Sequence, residues 1–127
     1  MYNILIVEDE TAYQRILKDT FEKEKFKVAL ASGCKEALTE VDKQIPDIVL
    51  LDIMLPGGMN GFDFLEQIKA NEKTKAIPVI IITNLSSEKK VAEEIGVDSY
   101  FIKSETTIQQ IISKVKEILN NKSLVGG

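Results

Sequence analysis

The sequence predicts a three-layer α/β sandwich, with helices on both faces of a parallel sheet. The first observation is a set of short, almost purely apolar runs at residues 4–7, 48–51, 79–82 and 100–102. These runs lack the alternation of polar and apolar side chains that a half-exposed strand shows, so each strand is expected to be covered on both faces. The second observation is that segments with helical periodicity separate the runs, which predicts strands joined by right-handed crossover helices.

The first helix is predicted between the first two strands. Its expected inward stripe consists of Ala12, Ile16, Leu17 and Phe21. Residues 27–30 are expected to form the second strand and residues 35–43 the second helix. Pro46 then introduces the third strand, because its ring keeps the preceding residue out of the α region.

The second half of the chain repeats the alternation of strand and helix. The third helix is expected to begin near Gly61. The fourth strand follows Pro78, at a position where a missing backbone N–H is tolerated. The fourth helix is expected to end at Gly96, because glycine favours the position just after a helix. The inward residues expected for this helix are Val91, Ala92 and Ile95.

The fifth helix has the clearest amphipathic pattern. Its apolar face carries Ile108, Ile111, Ile112, Val115, Ile118 and Leu119. Thr106 and Gln109 have the spacing of a capping box and are predicted to begin this helix. One domain is therefore expected at residues 1–120, with residues 121–127 as a flexible tail or the start of a linker.

The composition limits the chemistry and the classes of partner. The chain has 20 acidic and 16 basic residues and a net charge of −4, which argues against direct binding of nucleic acid. It has no histidine, so Ser-His-Asp or Cys-His catalysis and zinc sites built on histidine are excluded. Its single cysteine, Cys34, cannot form an internal disulfide, and the cytoplasm is the expected compartment. No apolar stretch approaches the ~20 residues of a membrane helix, and the first strand begins too early for a signal peptide.

Polar side chains end or follow four of the predicted strands. They are Glu8 and Asp9 after the first strand, Asp52 after the third, Thr83 after the fourth and Lys103 after the fifth. The carboxyl ends of parallel strands share one edge of the sheet, and ligands bind there where the strand order reverses. In the flavodoxin-like order 2-1-3-4-5 the first strand lies beside the third, so the three carboxylates are expected to lie close together.

Such a cluster of carboxylates needs a cation. Two unit charges 4 Å apart repel by about 1 kcal/mol in water and by about 4 kcal/mol at an effective dielectric constant of 20. Oxygen donors at an open edge suit Mg²⁺, which keeps some of its own water ligands. The sequence therefore predicts a Mg²⁺ site at Glu8, Asp9 and Asp52.

Taken one at a time, these residues have ordinary explanations. An acidic pair after a strand is more often a favourable charge at a helix N-terminus. Thr83 alone would be a turn hydroxyl, Lys103 one solvated lysine among many, and Tyr100 a packed aromatic. Their joint placement on one edge of one sheet is what favours a functional site.

With these residues in this order, the sequence resembles the receiver domain of two-component response regulators. The resemblance extends from the acidic pair to the fifth helix. It is carried by Glu8 and Asp9, by the segment 52–56 (Asp-Ile-Met-Leu-Pro) with Gly61 beyond it, and by Thr83, Tyr100 and Lys103. It implies a phosphorylation-dependent signalling switch and not an enzyme with a separate substrate. Such a switch catalyses only its own phosphorylation and slow dephosphorylation.

The resemblance implies a role for each acidic residue. Asp52 would be the phosphoacceptor, a nucleophile that needs no general base because aspartate is normally ionised at pH 7. Asp9, Asp52 and the backbone carbonyl of Met54 would bind Mg²⁺ directly. Glu8 would act through a metal-bound water.

The resemblance also implies how the switch works and what it contacts. Lys103 would pair with the incoming phosphoryl oxygens, and Thr83 would donate a hydrogen bond to one of them. Thr83 would then move inward and Tyr100 would turn toward the core, which would change the face formed by the fourth helix, fifth strand and fifth helix. A sensor histidine kinase or phosphotransfer protein is expected upstream, and a protein partner or second copy of the chain at this face. Its exposed candidates are Lys89, Lys90, Glu93, Glu94 and Asp98.

The segment between the expected phosphoacceptor and Gly61 is one residue longer than is usual in receivers. Gly57 and Gly58 are the obvious insertion. Because this loop borders the expected metal site, its conformation matters, but glycines accommodate an extra residue easily.

Two further departures from the usual receiver sequence lie just after the fourth and fifth predicted strands. Ser104 stands after Lys103 where the family usually has proline, often with a cis peptide bond, so a looser or trans backbone is expected. Asn84 stands after Thr83 where most receivers carry a small residue. Asn84 is expected either to narrow the approach to Asp52 or to contact the phosphate.

Other classes fit the residues less well. A haloacid-dehalogenase-like phosphotransferase expects a second aspartate two residues after the first, where this chain has Met54. A flavodoxin would need a phosphate-binding loop where this chain is acidic, and no P-loop motif is present. The open alternative is a degenerate receiver that acts only as a protein-interaction module. The chain would be either a stand-alone receiver or one domain of a larger regulator or hybrid kinase.

Overall fold

The computed structural model describes residues 1–126, with the side chains of residues 1–122. Its strands are β1 Asn3–Val7, β2 Lys27–Ala31, β3 Ile48–Leu51, β4 Val79–Thr83 and β5 Ser99–Ile102. Its helices are α1 Thr11–Lys23, α2 Cys34–Lys43, α3 Gly61–Ala70, α4 Lys89–Ile95 and α5 Ile108–Gly126, with a 3-10 turn at Lys103–Glu105. The predicted alternation is present throughout, and the observed bounds of β2 and α2 differ from the predicted ones by one residue.

The five strands are parallel and lie in the order β2-β1-β3-β4-β5. This order confirms the predicted flavodoxin-like sandwich. Val7 of β1 pairs with Leu51 of β3, and Thr83 of β4 pairs with Ile102 of β5. The residues just beyond these pairs therefore lie along one edge of the sheet, on either side of the point where the strand order reverses.

Both faces of the sheet are buried, which explains why the strands show so little polar alternation. One apolar cluster contains Leu5, Leu51 and Ile81 from the sheet together with Val41, Phe64, Leu65, Ile68 and Ala92 from α2, α3 and α4. The other contains Ile4, Ile6, Leu50 and Ile80 together with Leu17, Phe21, Ile111 and Val115 from α1 and α5. Full burial of one such side chain contributes about 1.5–3 kcal/mol.

The buried face of α1 differs from the predicted stripe. Leu17 and Phe21 are buried as expected, but Ala12 is exposed and Ile16 is 50% exposed. The inward face is formed by Tyr13, Leu17 and Phe21, which are spaced four residues apart. The prediction for Ala12 and Ile16 was wrong. Each of them directly precedes an inward residue, Tyr13 or Leu17, and consecutive helical residues point about 100° apart, so both face away from the sheet.

Helix α4 ends where the sequence predicts. Gly96 has a φ of +115°, in the region that glycine adopts without strain. Ala92 is fully buried, but Val91 is 43% exposed, so its predicted inward position was wrong. A helix of seven residues offers a narrow buried face, and Ala92 occupies its centre.

The capping box of α5 lies one residue later than predicted. The N–H of Gln110 donates to Thr107 Oγ1 at 3.1 Å, and the N–H of Thr107 donates to Gln110 Oε1 at 2.7 Å. Thr106, predicted for this role with Gln109, instead donates its hydroxyl to the carbonyl of Ile102 at 2.7 Å. Two adjacent Thr/Gln pairs have the same spacing, and tertiary contact with β5 decides between them.

Helix α5 continues to Gly126, through most of the segment expected to form a tail or linker. The last residue of that segment, Gly127, lies outside the described residues. Within the part of the chain that the structure describes, no helix is both long and apolar enough to cross a membrane.

Candidate functional site

Polar side chains converge at the carboxyl edge of the sheet. Glu8, Asp9 and Asp52 each offer a carboxylate oxygen, and these atoms lie within 4.8 Å of one another. Lys103 Nζ lies 2.7 Å from Glu8 Oε1 and 3.1 Å from Asp52 Oδ2. The structure thus brings together four of the residues that were expected to form the site, and one ammonium group donates to two of the carboxylates.

Asp52 is held by the backbone as well as by Lys103. Its N–H donates to the carbonyl of Val7 at 3.0 Å, which continues the β1–β3 pairing beyond the last strand residues. Its Oδ1 accepts from the N–H of Met54 at 3.0 Å, and its side chain is 7% exposed. Both carboxylate oxygens therefore have a fixed direction at the edge of the sheet.

Glu8 lies deeper than Asp52, with only 3% of its surface exposed. Its Oε2 accepts from the N–H of Glu10 at 2.9 Å, and its carbonyl accepts from Gln14 Nε2 at 2.8 Å. Burial raises the pKa of Glu8, and repulsion by Asp52 adds to that rise. The hydrogen bonds from Lys103 and Glu10 lower its pKa, but the net direction is upward.

Lys103 supplies the positive charge of the cluster. Burial lowers its pKa, but the hydrogen bonds to Glu8 and Asp52 outweigh this effect, and the net pKa is raised. The ammonium therefore stays protonated at neutral pH. Three carboxylates against one ammonium leave an excess of two negative charges, which matches one divalent cation. The hard oxygen donors and the exposed position of Asp9 fit Mg²⁺.

Tyr13, which the sequence analysis did not single out as a site residue, forms one wall of this cluster. Lys103 Nζ lies 4.7 Å from the centre of the Tyr13 ring, within the range of a cation–π interaction. The Tyr13 hydroxyl is buried and has no hydrogen-bond partner among the described side chains and backbone. A sequence signal existed, because Tyr13 precedes Leu17 by one helical turn and closely follows the acidic segment.

Thr83 and Tyr100 lie at the β4–β5 side of the site and are connected through Leu85. Thr83 is fully buried, and its Oγ1 accepts from the N–H of Leu85 at 3.4 Å. The Tyr100 hydroxyl donates to the carbonyl of Leu85. Tyr100 is half-buried and packs against the apolar cluster that lies under α3 and α4. In this conformer the Tyr100 side chain is thus already turned toward the core.

The departures from the usual receiver pattern have a definite structure. Gly57 and Gly58 take φ values of +88° and +79°, so both glycines at the site of the extra residue use the left-handed region. The peptide bond between Lys103 and Ser104 is trans. Asn84 is exposed, and its side chain is directed at the turn after β5, because its Oδ1 accepts from the N–H of Ser104 at 2.9 Å.

Gly61 packs against the backbone that carries Asp52. Its N–H donates to the carbonyl of Ile53 at 2.8 Å, and the capping box of Asn60 and Asp63 fixes the start of α3 at this point. A Cβ atom on Gly61 would lie 2.5 Å from the Asp52 carbonyl oxygen. Only a residue without a side chain fits here.

Comparison with known families decides the class of this protein. The sequence model of the response regulator receiver domain family matches residues 4–116. This chain belongs to that family. The resemblance based on the strand-end residues is therefore confirmed, and the chain is a receiver domain of the kind found in two-component systems.

Individual relatives agree with this assignment. The sensory transduction protein RegX3 of Mycobacterium tuberculosis is 37% identical over 121 residues, which cover 94% of this receiver domain and 51% of RegX3. The chain spans about half the length of the curated relatives it matches. A receiver domain protein of Methanospirillum hungatei, described as CheY-like, has a TM-score of 0.87 and 29% identity and covers 97% of each chain. The Mn²⁺-bound form of response regulator Rcp1 has a TM-score of 0.76 and 26% identity, and covers 90% of this chain and 89% of its own.

Proposed function

We propose that this receiver domain is a phosphorylation-dependent switch in which Asp52 accepts a phosphoryl group, with Mg²⁺, from a histidine kinase, a phosphotransfer protein or a small acyl phosphate. The observation that carries this proposal is the Asp52 carboxylate, held by Lys103 inside an acidic cluster at the open edge of the sheet. The chain would catalyse only its own phosphorylation and slow dephosphorylation. The expected compartment is the cytoplasm.

Asp52 supplies the nucleophile of the proposed reaction. One of its carboxylate oxygens attacks phosphorus, and a new O–P bond forms while the bond from phosphorus to the donor's nitrogen or oxygen breaks. The electron pair of the broken bond leaves with the donor. Lys103 and the Thr83 hydroxyl then hydrogen-bond the transferred phosphoryl oxygens, so the residues act mainly by positioning and by neutralising charge.

The acidic cluster is the proposed metal site. Asp9, Asp52 and the carbonyl of Met54 would hold Mg²⁺ directly, and Glu8 would act through a water ligand. When bound, Mg²⁺ would neutralise the excess negative charge of the cluster and of the phosphoryl group. The excess of two negative charges supports this proposal, as does the Mn²⁺-bound form of the similar protein Rcp1.

In the proposed switch, the backbone of Leu85 links phosphorylation of Asp52 to the conformation of Tyr100. A phosphoryl group on Asp52 would draw the Thr83 hydroxyl away from the N–H of Leu85, and the carbonyl of the same residue holds the Tyr100 hydroxyl. Phosphorylation would therefore shift the balance toward the inward Tyr100 conformer described here and away from an outward one.

The surface that would change is the face of α4, β5 and α5, which would bind a downstream protein or a second copy of the chain. Lys89, Lys90, Glu93 and Glu94 are exposed there, so mixed charges are available for pairing. Asp98 is exposed as well, but its Oδ2 accepts from the N–H of Val79 at 2.9 Å, so this carboxylate also has a structural role.

Incubation with a small acyl phosphate and Mg²⁺ tests the proposed function. We expect one phosphoryl group per chain, stable in acid and labile in base, and no phosphorylation of Asp52→Asn. Asp47→Asn is a control, because the half-buried Asp47 carboxylate, like that of Asp52, accepts from a backbone N–H but lies at the opposite edge of the sheet. Wild-type incorporation by Asp52→Asn would show that the proposed nucleophile is wrong. No incorporation by the wild-type protein would favour the degenerate receiver that acts only as an interaction module.

A further inference from the structure

The two unusual residues beside the site, Asn84 and Ser104, bind each other. The backbone N–H of Ser104 donates to Asn84 Oδ1 at 2.9 Å, across 20 positions of sequence. Proline at position 104 would have no N–H to donate, and alanine or glycine at position 84 would have no side-chain acceptor. The hydrogen bond therefore requires both departures at once.

This hydrogen bond extends the connection between β4 and β5 beyond the sheet. The last paired residues of these strands are Thr83 and Ile102. Asn84 directly follows Thr83, and Ser104 lies within the 3-10 turn Lys103–Glu105. The bond thus joins the loop that follows the Thr83 hydroxyl to the turn that carries the Lys103 ammonium.

We propose that Asn84 is a positioning residue for phosphoryl transfer to Asp52. By holding the N–H of Ser104, it fixes the turn from which Lys103 reaches Asp52 at 3.1 Å. On the other side of this turn, the Thr106 hydroxyl donates to the carbonyl of Ile102 at 2.7 Å. Asn84 therefore acts through the backbone next to Lys103, with its Oδ1 directed at Ser104. This inference rests on the proposed function.

Three variants isolate the hydrogen bond. Asn84→Ala removes the acceptor, whereas Asn84→Asp keeps an oxygen on a side chain of the same length. Ser104→Ala removes the hydroxyl but keeps the backbone N–H, so it is the matched control on the donor side. The first readout is hydrogen exchange at the Ser104 amide, which reports on the bond whether or not Asp52 is phosphorylated.

We expect Asn84→Ala to speed exchange at the Ser104 amide several-fold, and Asn84→Asp to restore protection. The second readout is the rate of Asp52 phosphorylation by a small acyl phosphate at saturating Mg²⁺. Asn84→Ala should slow this reaction about two- to tenfold, because the loss of one hydrogen bond of ordinary net strength changes a rate by about that factor. Ser104→Ala should keep the wild-type rate, and the upward shift in melting temperature caused by Mg²⁺ should be the same in all these variants.

Two results would overturn the inference. Unchanged exchange of the Ser104 amide in Asn84→Ala would mean that the bond does not hold the turn in solution. Faster exchange with an unchanged phosphorylation rate would mean that the bond is structural and does not position Lys103. Because amide exchange needs no phosphoryl group, a wild-type protein that fails to react would contradict the proposed function and still leave this bond measurable.

Discussion

Gly61→Ala should lower the melting temperature by roughly 10 °C or more, the shift expected in a domain of this size for a loss of about 3 kcal/mol. The added Cβ would lie 2.5 Å from the Asp52 carbonyl oxygen and 2.7 Å from Ile53 Cα. Both are backbone atoms and cannot turn away as the end of a flexible side chain can. Either α3 or the segment that carries the Asp52 carboxylate must therefore shift. Thermal unfolding followed by circular dichroism measures the loss, and phosphorylation of the folded fraction measures the displacement of Asp52.

Gly33→Ala is the control for this prediction. Gly33 also lies at the start of a helix, directly before α2, but its φ of −164° suits any residue. A Cβ atom added to Gly33 would have no neighbouring atom within 4 Å. The melting temperature of Gly33→Ala should therefore change by only a few degrees, within the usual range of surface substitutions. Equal stability of Gly61→Ala and Gly33→Ala would mean that the close approach of α3 to Asp52 is not maintained in solution.

Lys103→Met should destabilise the fold by about 3 kcal/mol and slow phosphorylation of Asp52 roughly a hundredfold. The Lys103 side chain is 12% exposed, and its ammonium donates to Glu8 and Asp52, whose side chains are 3% and 7% exposed. Removal of the ammonium leaves two buried carboxylates without their cation. The expected loss lies at the lower end of the range for a broken buried ion pair, because the cluster lies at an open edge. Chemical unfolding measures the change in stability, and incubation with a small acyl phosphate measures the rate.

Mg²⁺ should recover part of this loss. At ten times its Kd a bound ligand stabilises the folded state by about 1.4 kcal/mol, and the variant should gain more than the wild type because its cluster carries one more uncompensated charge. Asp9→Ala should abolish the Mg²⁺-dependent rise in melting temperature. An equal rise in Asp9→Ala and wild type would contradict the proposed metal site.

Lys116→Met is the matched control for Lys103→Met. Lys116 also pairs with a carboxylate, Glu24, but the two side chains are 50% and 36% exposed. An exposed pair of this kind contributes at most about 1 kcal/mol. A loss of stability in Lys116→Met as large as in Lys103→Met would mean that burial does not distinguish the two ion pairs.

The fold was predictable from the sequence because its strongest signals are local. Uninterrupted apolar runs such as residues 48–51 favour a strand covered on both faces, and the alternation with helices then limits the topology. The details that were wrong depend on tertiary contacts. Ile16 is more apolar than Tyr13, yet the ring of Tyr13 faces inward because it packs beside Lys103. Thr106 does not cap α5, because its hydroxyl donates to the carbonyl of Ile102 instead.

The candidate site was predictable as a set of residues, because each member stands at the end of a strand. Its internal connections were not predictable, since they depend on side-chain directions that sequence spacing does not give. The bond between Asn84 and Ser104 joins residues that are far apart in the chain. In the sequence alone, each is a separate departure from the receiver pattern. The link from Thr83 to Tyr100 runs through Leu85, whose backbone contacts carry no signal in the sequence.

Backbone amide chemical shifts, measured with Mg²⁺ before and after addition of the phosphoryl mimic beryllofluoride, test the central claim most directly. If Asp52 controls a switch, the shifts should change around Asp52 and also at Leu85, at Tyr100 and along α4, because the phosphoryl group would draw Thr83 inward and both Thr83 and Tyr100 are bonded to the loop at Leu85. Asp52→Asn should show none of these changes. Changes confined to the immediate surroundings of Asp52, with Tyr100 and α4 unaffected, would contradict the proposal that this receiver domain switches on phosphorylation.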